Sequence, residues 1–236
     1  MRVNPVSGEV LAGPLEHVYV YEAPVRLWHW VMMVAMMFLI PTGYLIGSPP
    51  PAIGGEATFT YMFAYIRMIH FIAAMVFAVS FAVRIYWAIV GNHHSRAMFI
   101  VPFWNLGWWK GFFAQVGNYL FIRRESPLWV AHNPLAQSAM FGMYTVGTFV
   151  IIITGFALYA EQWGWGTTPM NLMGWVFGLL GEPQAVRTVH HFAMWYLIVF
   201  AIVHMYMVFR EDIMSGETII STMINGIRMW KNEPKR

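Results

Sequence analysis

Four stretches of this chain are each long and apolar enough to cross a lipid bilayer: roughly residues 26–46, 63–90, 135–160 and 185–209. A spanning helix needs about 20 mostly apolar residues. In lipid every backbone N–H and C=O must be satisfied within the protein, so such stretches are helices. This one feature predicts an all-α membrane protein, a bundle of four transmembrane helices forming a single domain over residues 1–236. Only 11% of the residues are charged, against about 25% in an ordinary soluble domain. Pro41 falls inside the first stretch and is expected to kink that helix or mark its end. Residues 1–26 are polar and of mixed charge, without the charged-then-apolar pattern of a signal peptide, so the first span is expected to be retained.

Lysine and arginine set the expected orientation. The loops at 47–60 and 161–184 contain neither; their charged residues are Glu56, Glu161 and Glu182. The 91–134 loop carries Arg96, Lys110, Arg123 and Arg124, the tail Arg210, Arg228, Lys231, Lys235 and Arg236, and the N-terminal arm Arg2 and Arg26. Both termini and the middle loop are therefore expected in the cytoplasm, and the two Lys/Arg-free loops outside. The stretch FWNLGWWKGFFAQVGNYLF in the middle loop is apolar but broken by Gly and Lys110, which predicts a segment lying in the interface. QWGWGTTPMNLMGWVFGLLG is expected to do the same on the other side. The basic residues are scattered and form no patch for nucleic acid.

The candidate chemistry in this chain lies in its histidines. There is no cysteine, which excludes disulfides, cysteine-held iron–sulfur clusters and covalently attached c-type haem. Four of the nine histidines lie inside spans, where an ionisable side chain points to function. His29 and His204 fall at the cytoplasmic depth, and His70 and His190 at the outer depth. His190 and His204 are 14 residues apart, which at about 100° per residue leaves them about 40° from full alignment and about 21 Å apart along the axis. One helix thus supplies one ligand to each of two stacked cofactors, with the partners on the first and second helices. Haem b fits: it is planar, apolar and held by a pair of imidazoles without cysteine.

Three of these histidines carry the same attachment: Arg26-Leu-Trp-His29, Arg67-Met-Ile-His70 and Arg187-Thr-Val-His190. Residues i and i+3 share a helix face, and each Arg sits one turn nearer the membrane surface, where haem propionates would meet a guanidinium fork. The spacing selects His190 over His191, whose 13-residue separation from His204 puts it about 140° out of phase; His191 is expected to pack or hydrogen-bond near the outer haem. A non-haem metal centre would want three or four close ligands, often carboxylates, and only Glu211 and Asp212, at the very end of the fourth helix, come near these histidines. His93, His94 and His132 read as solvated residues outside the spans, and His17, in the N-terminal arm, is uninformative. The 19 methionines read as packing residues, not as clustered soft ligands.

RLWHWVMMVAMMFLIPTGYLIG and RTVHHFAMWYLIVFAIVHMYMVFREDIM resemble the first- and fourth-helix signatures of the b-type cytochrome subunit of uptake nickel–iron hydrogenases. The carrying features are Arg-x-x-His-Trp with a Thr-Gly near the helix end, and His-His, Trp, a His 14 residues on and Arg-Glu-Asp. The resemblance covers essentially the whole chain; gamma subunits of formate dehydrogenase share the plan but match less well. It implies two haems b, the outer on His70 and His190 and the inner on His29 and His204, with Arg26, Arg67 and Arg187 alongside. It implies a bacterial inner-membrane electron-transfer subunit that does not itself split hydrogen. Its partners would be periplasmic iron–sulfur (small) and nickel–iron (large) hydrogenase subunits, and its electron acceptor a quinone. The sequence independently requires an electron donor elsewhere, since the chain has no cysteine for clusters and no dinucleotide motif. The rival expectations are a cytochrome subunit of a formate dehydrogenase or thiosulfate reductase, and a haem-free anchor or small transporter.

Overall fold

A computed structural model describes residues 15–51, 61–122, 133–215 and 218–231. Glu56, Arg123, Arg124 and His132 lie outside the described residues, as do Arg2, Lys235 and Arg236. The element order is β1 (Leu15–Tyr19), α1 (Ala23–Gly47), α2 (Met62–Val90), α3 (His93–Arg96), α4 (Leu106–Tyr119), α5 (Pro134–Ala139), a π-helical turn (Met140–Thr145), α6 (Val146–Glu161), α7 (Thr168–Leu180), α8 (Pro183–Ser215), α9 (Ile219–Asn225) and β2 (Ile227–Lys231). Among the described residues four helical runs are long and apolar enough to cross a membrane: α1, α2, the continuous Pro134–Glu161 run, and α8. Their positions agree with the four expected spans. Their outward faces are apolar, with Met37, Val79, Phe192 and Ile202 all exposed; a helix that turns such residues outward is suited to lipid.

Three details add to the sequence expectation. Pro41 neither ends α1 nor stops it short of Gly47. The Thr42 hydroxyl donates to the Phe38 carbonyl at 2.6 Å, adding a polar contact in the turn where a proline weakens the ladder. The third span contains a π turn that no residue periodicity signals. And the reading is not wholly helical: β1 and β2 pair antiparallel, Leu15 opposite Lys231 through Tyr19 opposite Ile227.

The described residues group into two compact units, with a boundary inside each long helical run. One unit comprises Met1–His29, Tyr86–Met143 and Phe200–Arg236. Here the β1–β2 pair continues into Val20 N–H donating to the Gly226 carbonyl at 2.9 Å. Gly226 has φ 82°, and a Cβ there would lie 2.5 Å from the Tyr21 carbonyl oxygen, so glycine is required. The Glu22 carboxylate, just before α1, accepts from Trp87 Nε1 (2.9 Å) and from the Asn92 N–H (3.0 Å). The Asn92 amide bond holds the Glu22 carboxyl below the usual carboxylate range, and the side chains of Trp87 and Ser95 add to it against the opposing effect of burial. Asparagines start three of the helices as N-caps: Asn92 for α3, Asn105 for α4 and Asn133 for α5. The expected interfacial segment is α4, an aromatic helix on which Trp108 stacks with Phe112 and donates to Gln137 on α5.

The other unit comprises Trp30–Ile85 and Tyr144–Val199. Its second expected surface segment is helix α7, which buries Met170, Val176 and Phe177 against Ala157 and Ala160 of α6 and Val186 of α8. Gly147 brings the third span against the fourth: a Cβ there would lie 3.1 Å from Leu197 and from Tyr196. Small residues at such a crossing allow the close approach that membrane helices rely on for packing.

Candidate functional site: two histidine pairs

The four span histidines fall as two pairs, one inside each compact unit. In the unit that holds the sheet, His29 of α1 and His204 of α8 face each other with ring centres 6.4 Å apart and planes at 52°. Two imidazoles on opposite sides of one metal, each at a metal–nitrogen distance near 2.0 Å, put their ring centres roughly 6 Å apart. His204 is further fixed by Phe200 one turn back, stacked at 5.4 Å and 20°. Arg26, one turn before His29, donates from Nη1 to the Ile224 carbonyl of α9.

In the other unit, His70 of α2 and His190 of α8 line one cavity of about 960 Å³, together with Arg67, Arg187 and His191. That volume lies at the upper end of the range for small-molecule sites, about 300–1,000 Å³, and the remaining walls are mostly apolar, among them Phe71, Phe77, Met194 and Leu197. Arg67 donates to Gln162 Oε1 at 2.9 Å and lies over the Phe71 ring at 5.8 Å. Arg187 pairs with Glu161 at 2.8 Å. Two of the three Arg-x-x-His units therefore deliver both their histidine and their arginine to one cavity, while the guanidinium of the third contacts the C-terminal segment.

His191 uses its Nδ1 on the carbonyl of Arg187 at 2.9 Å. A carbonyl can only accept, so the ring donates there. His190 points elsewhere: its Nδ1 lies 2.9 Å from the Thr154 hydroxyl. His70 makes the same contact with Thr42, at 3.0 Å. Each ring also has a glycine against it. A Cβ on Gly43 would lie 3.2 Å from His70 Cε1, and one on Gly155 would lie 3.2 Å from His190 Cε1. A planar tetrapyrrole needs two opposed, firmly held imidazoles, apolar walls and cations at the rim. The donor set fits that group. Among the described residues no three His, Cys, Asp or Glu side chains cluster as a metal-ion site.

Sequence reasoning misses four of these residues, Thr42, Gly43, Thr154 and Gly155, as partners of the rings. The signal is present as a Thr-Gly pair late in both the first and the third span. It also passes over Arg84, buried at 3% exposure in α2 and close enough to Tyr144 to act on it electrostatically. A charged residue within a span is itself such a signal.

Comparison with known proteins gives a consistent result. Residues 20–226 match the family described as prokaryotic cytochrome b561. A relative from Azotobacter vinelandii, named "Probable Ni/Fe-hydrogenase B-type cytochrome subunit", is 49% identical over 216 residues, covering 92% of this chain and 90% of the relative. A relative of the same name from Cupriavidus necator is 45% identical, covering 96% and 93%. One from Escherichia coli, named "Probable Ni/Fe-hydrogenase 1 B-type cytochrome subunit", is 46% identical, covering 90% and 91%.

Proposed function

The chain belongs to the prokaryotic cytochrome b561 family, and on that premise we propose that it is the membrane-anchoring b-type cytochrome subunit of a nickel–iron hydrogenase. It binds two haems b and carries electrons from the iron–sulfur subunit, on the periplasmic side, to the quinone pool. The observation that carries this reading is the gathering of the four span histidines into two pairs, each within its own compact unit.

When bound, each haem supplies a one-electron iron couple. His70 and His190 hold the outer group, and His29 and His204 the inner one. Arg67 and Arg187, at one cavity with the outer pair, offer guanidinium groups to carboxylate side chains and fix the ligand's orientation; Arg26 stands in the same relation to His29 by sequence. The apolar walls exclude water from the site. The Lys/Arg-free loops at 47–60 and 161–184 face the periplasm and meet the hydrogenase small subunit, and the termini lie in the cytoplasm of a bacterial cell, so the chain sits in the inner membrane. Hydrogen is split on the large subunit, so this chain's part is electron transfer.

The test is a reduced-minus-oxidised visible spectrum and haem quantification on the purified complex. Two haems per chain are expected, falling to one with His70→Ala or His190→Ala, and to one, spectrally distinct, with His29→Ala or His204→Ala. Absence of any b-type band overturns the haem reading. Survival of both signals in any of these variants overturns the pairing. Molybdenum in place of nickel in the co-purified complex would assign the chain to a formate dehydrogenase type of partner.

A further inference from the structure

The outer pair is built on a duplicated cradle. On α1, the Thr42 hydroxyl donates to the Phe38 carbonyl four residues back at 2.6 Å. On α6, the Thr154 hydroxyl donates to the Val150 carbonyl at 2.7 Å. A hydroxyl has one hydrogen, so with that hydrogen committed to the helix, each oxygen faces its histidine as an acceptor. His70 Nδ1 stands 3.0 Å from Thr42 Oγ1, and His190 Nδ1 stands 2.9 Å from Thr154 Oγ1. The hydroxyl oxygen beside each ring is thus an acceptor, so the ring nitrogen facing it carries the hydrogen.

The residue after each threonine completes the cradle. Gly43 and Gly155 leave open the space beside Cε1 of each ring, which a Cβ would occupy at 3.2 Å. Thr42 is 8% and Thr154 3% exposed, so water does not compete for the threonine hydroxyls. Glycines 43 and 155 line the cavity with the histidines, whereas the threonines stand behind them.

We propose that Thr42–Gly43 and Thr154–Gly155 are paired positioning elements that lock His70 and His190 as Nδ1–H tautomers with Nε2 directed into the cavity to bind the outer haem iron. The proposal rests on the haem reading above and adds to it the tautomer, the orientation and a control over potential. A ligating imidazole that donates its other N–H gains basicity. It then favours the ferric over the ferrous iron and lowers the midpoint potential of that haem relative to one whose ligands lack the bond.

The experiment compares wild type with Thr42→Val, Thr154→Val and the corresponding Thr→Ser variants in the purified complex. Valine keeps the shape and removes the acceptor; serine restores it. Haem content is titrated and the two midpoint potentials are read in one redox titration, with the His29/His204 haem as internal reference. Each valine variant should retain the outer haem roughly 10–100-fold less tightly and raise its potential, leave the inner potential unchanged, and be rescued by serine. Selective ¹⁵N-histidine NMR of the haem-free chain in micelles should show the His70 and His190 rings as Nδ1–H in wild type, beside that of His191, with His70 becoming mixed in Thr42→Val and His190 in Thr154→Val. Unshifted outer potentials and unchanged haem retention in the valine variants overturn the cradle while leaving the haem reading intact. A haem-free wild-type complex overturns the haem reading itself, and Nε2–H tautomers at His70 and His190 in the NMR arm overturn the cradle separately. A valine variant that loses both haems and its helical circular dichroism, with no rescue by serine, also overturns it.

Discussion

Replacing Glu22 with glutamine keeps the side chain's length and shape and removes its charge. Three donors converge on one oxygen, Oε2: Trp87 Nε1 at 2.9 Å, the Asn92 N–H at 3.0 Å and the Ser95 hydroxyl at 3.5 Å. Hydrogen bonds to a charged group contribute about 1.5–3 kcal/mol and neutral ones about 0.5–1.5 kcal/mol. The two short bonds therefore lose about 1 kcal/mol each, and the third is too long to count. Partial solvent access screens part of this, so Glu22→Gln should cost about 1–2 kcal/mol. In a domain of this size 1 kcal/mol moves the melting point by about 2–4 °C, so the midpoint should fall by about 2–8 °C, read from tryptophan fluorescence in micelles at pH 7. The pH dependence gives a second check. The Glu22 carboxyl is held below its ordinary value of 4.5, so its contribution is complete above that value and disappears as pH falls through the lower, folded-state value. The gap between wild type and Glu22→Gln should be constant above about pH 5.5 and close in acid. No gap at pH 7, or one that persists undiminished in strong acid, would refute the argument.

Gly226→Ala places a Cβ 2.5 Å from the Tyr21 carbonyl at φ 82°; it should detach β2 and speed tryptic cleavage after Arg228, and an unchanged cleavage rate would rule this out. Phe177→Ala empties the centre of the α6–α7–α8 cluster, where Phe177 is 5% exposed; it should cost about 3–5 kcal/mol by thermal unfolding, and a loss under about 1 kcal/mol would mean that the cluster closes around the gap. Arg187→Gln breaks an ion pair whose side chains are 46% and 30% exposed, so stability should change by less than about 1 kcal/mol while outer-haem retention falls. Lost stability with full haem retention would make Arg187 a structural residue instead.

The long helices are legible in the sequence because lipid leaves the backbone no alternative: an apolar run of sufficient length has one way to satisfy its amides. The histidine pairs are legible for a related reason. The 14-residue interval on α8 and the place of each histidine along its helix are properties of single helices, and single helices are what such a sequence specifies well. The features that escape depend on two segments meeting. β1 and β2 are five residues each and lie at opposite ends of the chain, so neither shows a strand pattern long enough to detect. Arg26 carries the same Arg-x-x-His spacing as its two counterparts, yet its guanidinium finds a carbonyl on α9 that sequence spacing cannot place. Thr42 and Thr154, inside apolar runs, look like packing residues; only their tertiary partners reveal them as acceptors.

The division of the histidines carries a consequence for how the chain tolerates damage. The unit boundary in α8 falls between Val199 and Phe200, so His190 belongs to one compact unit and His204 to the other. His190 depends on Thr154 and Gly155 of α6, and His204 stacks on Phe200 of its own helix. Thr154 and Gly155 on one side and Phe200 on the other are different residues, and changes at sites with no shared partners add nearly independently. Both ligands share the backbone of α8, where a break would be felt by both. A helix-breaking residue between the ligands, such as proline at Tyr196, should thus reduce both haems together, whereas a side-chain change at either cradle should reduce one. Equal loss of both haems on changing Thr154 alone would show that the two pairs are not separately built.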